Sequence, residues 1–217
     1  ILNFEFRSKM NSLGGGVLEG LNKSIDIAEK DYRGLVVGNQ AENFSVGANL
    51  AMVMMMAVEQ DWYELNMAIA MFQQTSMKLR YSSIPVIAAP FGMTLGGGCE
   101  FSMHADKIVA AAETYIGLVE VGVGLIPGGG GTKEFALRAL KGTLPDDVKT
   151  NHLRNYFMNI ATAKVATSAW EAKQMGILTD NDIIVVNKDR QIAEAKRQAI
   201  VLDELGYTPP VPEKVKV

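Results

Sequence analysis

Short apolar runs and longer amphipathic stretches alternate along the chain. Leu2 to Phe6 reads as an opening strand. In "GGGVLEGLNKSIDIAEKD" the residues Val17, Leu18, Leu21, Ile25 and Ala28 recur at helical spacing on one face, and "GLVVGN" after them is a short buried strand. A loop over residues 39–47 leads to "ANLAMVMMMAVEQDWYELNMAIAMFQQTSMKLRYS", helical by period and stopped before Pro85. "PVIAAP" is a further buried strand, followed by a glycine-rich turn with a short helix, and then by the strand "KIVAA". "TYIGLVEVGVGLIPGGGGTKEFALRAL" passes from strand through a glycine-rich loop into a helix. Helices are expected near 145–160, 167–175 and 187–206, around a strand pair in "GILTD" and "DIIVV". This order predicts an α/β fold with a largely parallel sheet.

Composition narrows the class without choosing a function. The 217 residues suffice for one substantial core. A net charge of −3, with 21 basic and 24 acidic residues mixed along the chain, leaves no basic stripe for nucleic acid. Cys99 is the only cysteine, which excludes an intramolecular disulfide and a cysteine-based zinc site and fits a reducing, cytoplasmic compartment. No apolar run reaches the roughly 18 to 20 residues of a membrane span, and no signal peptide pattern is present. The chain opens on Ile1 inside a strand and closes on "YTPPVPEKVKV". The expectation is a piece of a longer polypeptide, with a domain over 1–207 and a proline-rich tail or linker over 208–217.

"TLGGGCEFSMHAD", residues 94 to 106, places bare backbone between a strand and a helix. Phe101 stands where a dinucleotide fingerprint needs its last glycine, and "GGGGTK" has its lysine after the threonine, so neither phosphate motif is satisfied. A side-chain-free turn at a helix start can instead direct an N–H, reinforced by the helix dipole, at developing negative charge. "NFSVGANL" offers a second such turn, with the Ala48 N–H able to face the first; two ordinary tight turns are the alternative. Glu100 follows the glycines, and Glu120 lies in the apolar "GLVEVGVGLIP", where burial would raise a carboxyl toward the range useful for proton transfer. A helix N-terminal charge at Glu100 and a buried salt bridge at Glu120 remain open as structural roles.

Other features carry less. His104 and His152 stand apart with no third ligand pattern, so no metal site is expected. Cys99 reads as structural. Met52, Met54, Met55 and Met56, with Met67 and Met71, read as core, although flexible side chains also suit a pocket for a variable apolar chain. Gly128 to Gly131 after Pro127 read as a helix N-terminus able to orient water or an anion.

Taken together, "FSVGANL", "IPVIAAPFGMTLGGGCEFSMHADKIVAAAETYIGLVEVGVGLIPGGGGTKE" and "ATSAWEAKQMGILTD" closely resemble the crotonase, or enoyl-CoA hydratase/isomerase, family over about residues 4–186. The wording is nearest to crotonase-like domains fused to a 3-hydroxyacyl-CoA dehydrogenase in bacterial multifunctional β-oxidation proteins. The resemblance implies a crotonase-like spiral of repeated ββα units and an acyl-CoA thioester whose oxygen lies between two backbone N–H groups, here those of Ala48 and Gly97. It implies Glu100 and Glu120 as the paired catalytic carboxylates, and Ala48, Asn49, Leu50, Gly97, Gly128, Lys9 and Met10 as substrate-binding positions. Hydration of a 2-enoyl-CoA in fatty-acid β-oxidation is the implied reaction; a 3,2-enoyl-CoA isomerase and a catalytically lapsed acyl-CoA binding module are the alternatives. No cofactor is expected in this domain, since CoA belongs to the substrate and NAD to a fused dehydrogenase; self-association into a homo-oligomer is a further implied partnership. Asn49 departs from the family's usual aspartate, "LKGTLPDDVKTNHLRNYFMN" lengthens the segment after the second site, and the closing C-terminal helices are expected to be missing.

Overall fold

The computed structural model describes residues 1–144 and 146–212. Residues 213–217, half of the expected tail, lie outside the described residues. In chain order the elements are β1 (Leu2–Phe4), α1 (Gly15–Asp31), β2 (Leu35–Val37), α2 (Leu50–Val58), α3 (Trp62–Arg80), β3 (Val86–Ala88), β4 (Gly92–Leu95), α4 (Gly97–His104), β5 (Lys107–Ala111), β6 (Thr114–Gly117), α5 (Gly131–Leu140), α6 (Lys149–Ala161), α7 (Ala169–Gln174), β7 (Ile183–Val185) and α8 (Gln191–Glu204).

The main sheet runs β1-β2-β3-β5-β7 with every pairing parallel. Its central strands are apolar throughout because both faces are covered. Side chains alternate between faces along a strand. Leu35, Val37, Val86 and Ala88 accordingly pack with Leu18, Leu21, Ile25 and Ala28 of α1, whereas Val36, Ile87 and Val109 pack with Ala195 and Ala199 of α8. The helical spacing read from α1 is thus the face that meets the sheet, and each of its large apolar side chains contributes about 1.5–3 kcal/mol by burial. A second, two-stranded parallel sheet joins β4 to β6 in the register Gly92↔Thr114 to Leu95↔Gly117. Isolated bridges pair Ser45 with Thr94 and Leu13 with Ala48, carrying this second layer outward to the loop before α2.

Three local expectations are corrected. The long helix expected over 48–82 is two helices: Gln60 adopts φ 58°, which ends α2, and the Asp61 carboxylate accepts the Glu64 N–H at 3.2 Å to start α3. "GILTD" forms no strand. Asp182 instead accepts the N–H groups of Thr179 (2.6 Å) and Ile108 (2.7 Å), and only Ile183–Val185 pairs with β5. The methionines of α2 are not core: Met52, Met54 and Met55 are half or more exposed, and no residue of α2 is buried. A helix apolar on every side carries no periodicity to say which side is covered.

Candidate active site

The two small-residue turns meet. Leu13 donates its N–H to Gly47 O (2.8 Å) and accepts the Asn49 N–H (3.3 Å), so the intervening Ala48 N–H points away from that segment. Ser45 fixes the turn from inside, its hydroxyl donating to Asn11 O at 2.7 Å and accepting the Gly47 N–H at 3.1 Å. On the facing side Gly96 adopts φ 51° and ψ −119° and donates to Gly117 O at 2.9 Å, which turns the chain from β4 into α4 at Gly97. A Cβ on Gly47, whose φ is 92°, would lie 2.8 Å from Leu95 O and 3.3 Å from Gly97 N. That close approach explains the glycine and puts the Ala48 and Gly97 turns in contact. Neither the Ala48 nor the Gly97 N–H has an acceptor among the described residues. First-turn N–H groups are the orphans that a helix offers to negative charge.

Topology brings the carboxylates to the same place. Strands β4 and β6 are parallel neighbours, so their C-terminal ends lie side by side; Glu100 follows one and Glu120 the other. Glu100 is 3% exposed, and its carboxylate accepts the Gly131 N–H at 2.9 Å. Glu120 starts a 3-10 turn over Glu120–Val123, its Oε1 lies 2.9 Å from where a Gly96 Cβ would stand, and its buried Oε2 has no hydrogen-bond partner among the described residues. An unpartnered buried carboxylate oxygen is costly unless something else meets it.

Burial first, and then the charge of Glu120, raise the Glu100 carboxyl to about 7, against the pull of the Gly131 and Gly129 N–H groups. Burial also raises Glu120 above its ordinary value. Two such groups, one raised in part by the charge of the other, titrate as a coupled pair. Phe72 of α3 closes the site from the side. It stacks on Phe101 with ring centroids 4.7 Å apart, lies 2.7 Å from where a Gly97 Cβ would stand, and fills the space beside Gly129. A Cβ on Gly129 would also come within 2.5 Å of Glu100 Oε2.

Of the positions singled out in the sequence, Ala48, Gly97, Glu100 and Glu120 converge. Gly128 belongs to the adjoining loop, where its carbonyl accepts the Gln73 side-chain N–H at 2.8 Å, but Gly129 and Gly131 are the loop residues against Glu100. Asn49 caps α2, accepting the Met52 N–H at 3.4 Å, and Leu50 is exposed at the first position of that helix. Lys9 and Met10 are exposed in a 3-10 turn that reaches the Ala48 turn through Asn11 and Leu13. Gly129 and Gly131 belong to the Gly128 to Gly131 run read from the sequence as a helix N-terminus, whereas Phe72 carries no sequence signal that marks it. His104 is buried, as a core histidine would be, and no group of three or more metal-ligating side chains occurs among the described residues. A cleft of about 440 Å³ beside α6 and α7 is lined by Tyr156, Lys164 and Gly176, and a second of about 260 Å³ by Phe91, Tyr115 and Lys188; neither includes a residue of this site.

The geometry has counterparts. A protein of Bacillus subtilis (strain 168) described as a "Probable 3-hydroxyacyl-CoA dehydrogenase" is 49% identical over 214 residues, covering 98% of this chain and 27% of its own length. The chain therefore spans about a quarter of that relative. Among solved structures, an enoyl-CoA hydratase from Bacillus anthracis shares 27% identity with a TM-score of 0.69, over 94% of this chain and 71% of its own. One from Polaromonas sp. JS666 shares the fold at 22% identity, with a TM-score of 0.75 over 93% of this chain and 73% of its own. The model of the enoyl-CoA hydratase/isomerase family matches residues 1–200, nearly the whole described chain, and this chain belongs to that family.

Proposed function

We propose that the chain hydrates 2-enoyl-CoA thioesters in fatty-acid β-oxidation, as the hydratase part of a longer protein that also carries a 3-hydroxyacyl-CoA dehydrogenase. The observation that carries this reading is the convergence of two raised carboxyls, one buried and one half-buried, on two unpartnered backbone N–H groups. The Ala48 and Gly97 N–H groups donate hydrogen bonds to the thioester oxygen. Ionised Glu100 takes a proton from water as the water oxygen bonds to C3, and the C2–C3 π electrons move toward the thioester. The resulting enolate charge rests on the two N–H donors, each worth about 2.7 to 4 kcal/mol in comparable sites. Glu120, whose carboxyl burial raises, delivers a proton to C2. Proton exchange between the two glutamates and solvent restores the starting state. Beyond the CoA carried by the substrate, this chemistry needs no cofactor, and NAD belongs to the dehydrogenase part.

The 49% identity to the Bacillus subtilis protein supports the fusion, and the single buried cysteine is in keeping with a cytoplasmic setting. Among the described residues no helix is long and apolar enough to cross a membrane. Offering crotonyl-CoA and a 3-enoyl-CoA side by side tests the reading. Water addition to crotonyl-CoA is expected. Double-bond migration alone would make the chain an isomerase, and binding of both thioesters without turnover would make it a binding module.

A further inference from the structure

Behind Glu100 lies a buried charged cluster that the reaction itself does not use. Glu134 of α5 is 1% exposed and lies 2.8 Å from Lys133 Nζ, 3.1 Å from Arg80 of α3, 3.9 Å from Arg138 and 3.5 Å from His104 Nε2. His104, at the end of α4, has its Nδ1 2.7 Å from the backbone oxygen of Glu100. Its ring also fills the space beneath Gly130, where a Cβ would approach Cε1 to 2.8 Å; Gly130 adopts φ 111°, and the next residue, Gly131, donates its N–H to the Glu100 carboxylate. Glu100 is therefore held at both ends, at its backbone oxygen by the His104 ring and at its carboxylate by a residue whose neighbour rests on that ring.

The protonation of His104 follows from its surroundings. A carbonyl oxygen only accepts, so the contact with Glu100 O requires the proton on Nδ1. A second proton on Nε2 would face Glu134, but that carboxylate already has Arg80, Lys133 and Arg138 around it. Burial foremost, with Lys133 and Arg80, lowers His104 to about 4 despite the opposing charge of Glu134. For Glu134 burial works upward, and His104, Arg80 and Lys133 outweigh it; with His104 neutral at neutral pH, the two cations do that holding. The ring thus carries one proton, directed at Glu100.

We propose that His104 is a positioning residue for Glu100: its Nδ1–H and its ring, fixed against the Glu134 cluster, set the Gly130–Gly131 turn and with it the N–H that favours the ionised base. The inference rests on the hydratase reading for its meaning in catalysis, but its physical content is independent of turnover. The charged or titratable groups facing this unit are Glu120 from the 3-10 turn, Arg80 from α3, Lys133, Glu134 and Arg138 from α5, and the Cys99 thiol, which burial pushes up and keeps neutral.

The isosteric pair His104→Asn and His104→Leu isolates the donor, because the asparagine amide N–H can stand where Nδ1–H stands and leucine has none. Carboxyl titration by NMR on the 217-residue chain with side-chain-labelled glutamate, assigned with Glu100→Gln, reads the base directly. Glu100 should titrate near 7 in the parent, and in His104→Asn, which keeps the donor but not the ring beneath Gly130, it should stay closer to that value than in His104→Leu. In His104→Leu it should titrate about one pH unit higher, about a fivefold loss of the ionised fraction at pH 7. The crotonyl-CoA rate of His104→Leu should fall at pH 7 and recover as pH rises. An unchanged Glu100 midpoint in folded His104→Leu overturns the proposal. If both variants fail to fold, the imidazole nitrogen shifts of the parent decide: a neutral Nδ1–H tautomer supports the proposal, and an Nε2–H tautomer or an imidazolium at pH 7 overturns it. Absence of parent turnover would sink the hydratase reading alone, since the titration needs none.

Discussion

Glu100→Gln should make the protein more stable at alkaline pH while weakening its chemistry. The carboxyl titrates at its ordinary value of 4.5 in the unfolded chain and at about 7 in the fold, chiefly because ionisation there occurs out of water. Between those values the folded state binds the extra proton, so stability falls as pH rises from 4.5 to 7 and stays low above it. At about 1.4 kcal/mol per pH unit the full cost is about 3.5 kcal/mol. Glutamine removes that cost but presents an NH₂ to one of the two N–H groups, Gly131 and Gly129, that the carboxylate accepts. One lost acceptor costs about 1 kcal/mol, leaving a net gain of about 2.5 kcal/mol at pH 8.5. Near pH 5 most of the gain should vanish, a swing of about 2 to 3 kcal/mol. Urea unfolding of parent and variant at the two pH values measures this directly. A difference in stability that does not change with pH would refute the assignment of Glu100 as a carboxyl whose ionisation the fold opposes.

Three further outcomes follow from named contacts. Gly129→Ala drives a Cβ into the Phe72 ring and to within 2.5 Å of Glu100 Oε2, whereas at Gly128 nothing lies nearer than 3.8 Å; unfolding should show a loss of about 1–3 kcal/mol for the first, and the second should stay within about 0.5 kcal/mol. Equal effects would mean the loop does not pack as described. Glu134→Gln leaves Arg80, Lys133 and Arg138 facing one another around a neutral amide, and chemical denaturation should register about 3–5 kcal/mol of destabilisation. A change below 1 kcal/mol would show those cations to be solvated. For hydration itself, kcat/KM against pH should rise through a midpoint near 7, the value at which the buried base ionises; a limb near 4.5 would place the base in water.

Much of this architecture is legible in residue order because it is local. The apolar runs "GLVVGN", "PVIAAP" and "KIVAA" each contain a strand, and the face Leu18, Leu21, Ile25 and Ala28 is the buried one. The convergence of Glu100 and Glu120 was reached by resemblance, and the physical cause is long-range: β4 and β6 are parallel neighbours 22 positions apart in register. What escaped the sequence is of two kinds. The break at Gln60 depends on one residue's backbone conformation inside an otherwise helical period. The choice of Gly129 and Gly131 over Gly128, and the meeting of His104 with Glu134, depend on how α4 packs on α5, which no spacing within either helix records.

The most direct test of the central claim is the loss of 2-enoyl absorbance on mixing the chain with crotonyl-CoA, run beside Glu100→Gln and Glu120→Gln. The account predicts turnover by the parent and a fall of about 10² to 10⁴ in each variant, with thioester binding retained by the unaltered Ala48 and Gly97 N–H groups. Turnover that survives either substitution would contradict the division of proton transfer between the two glutamates.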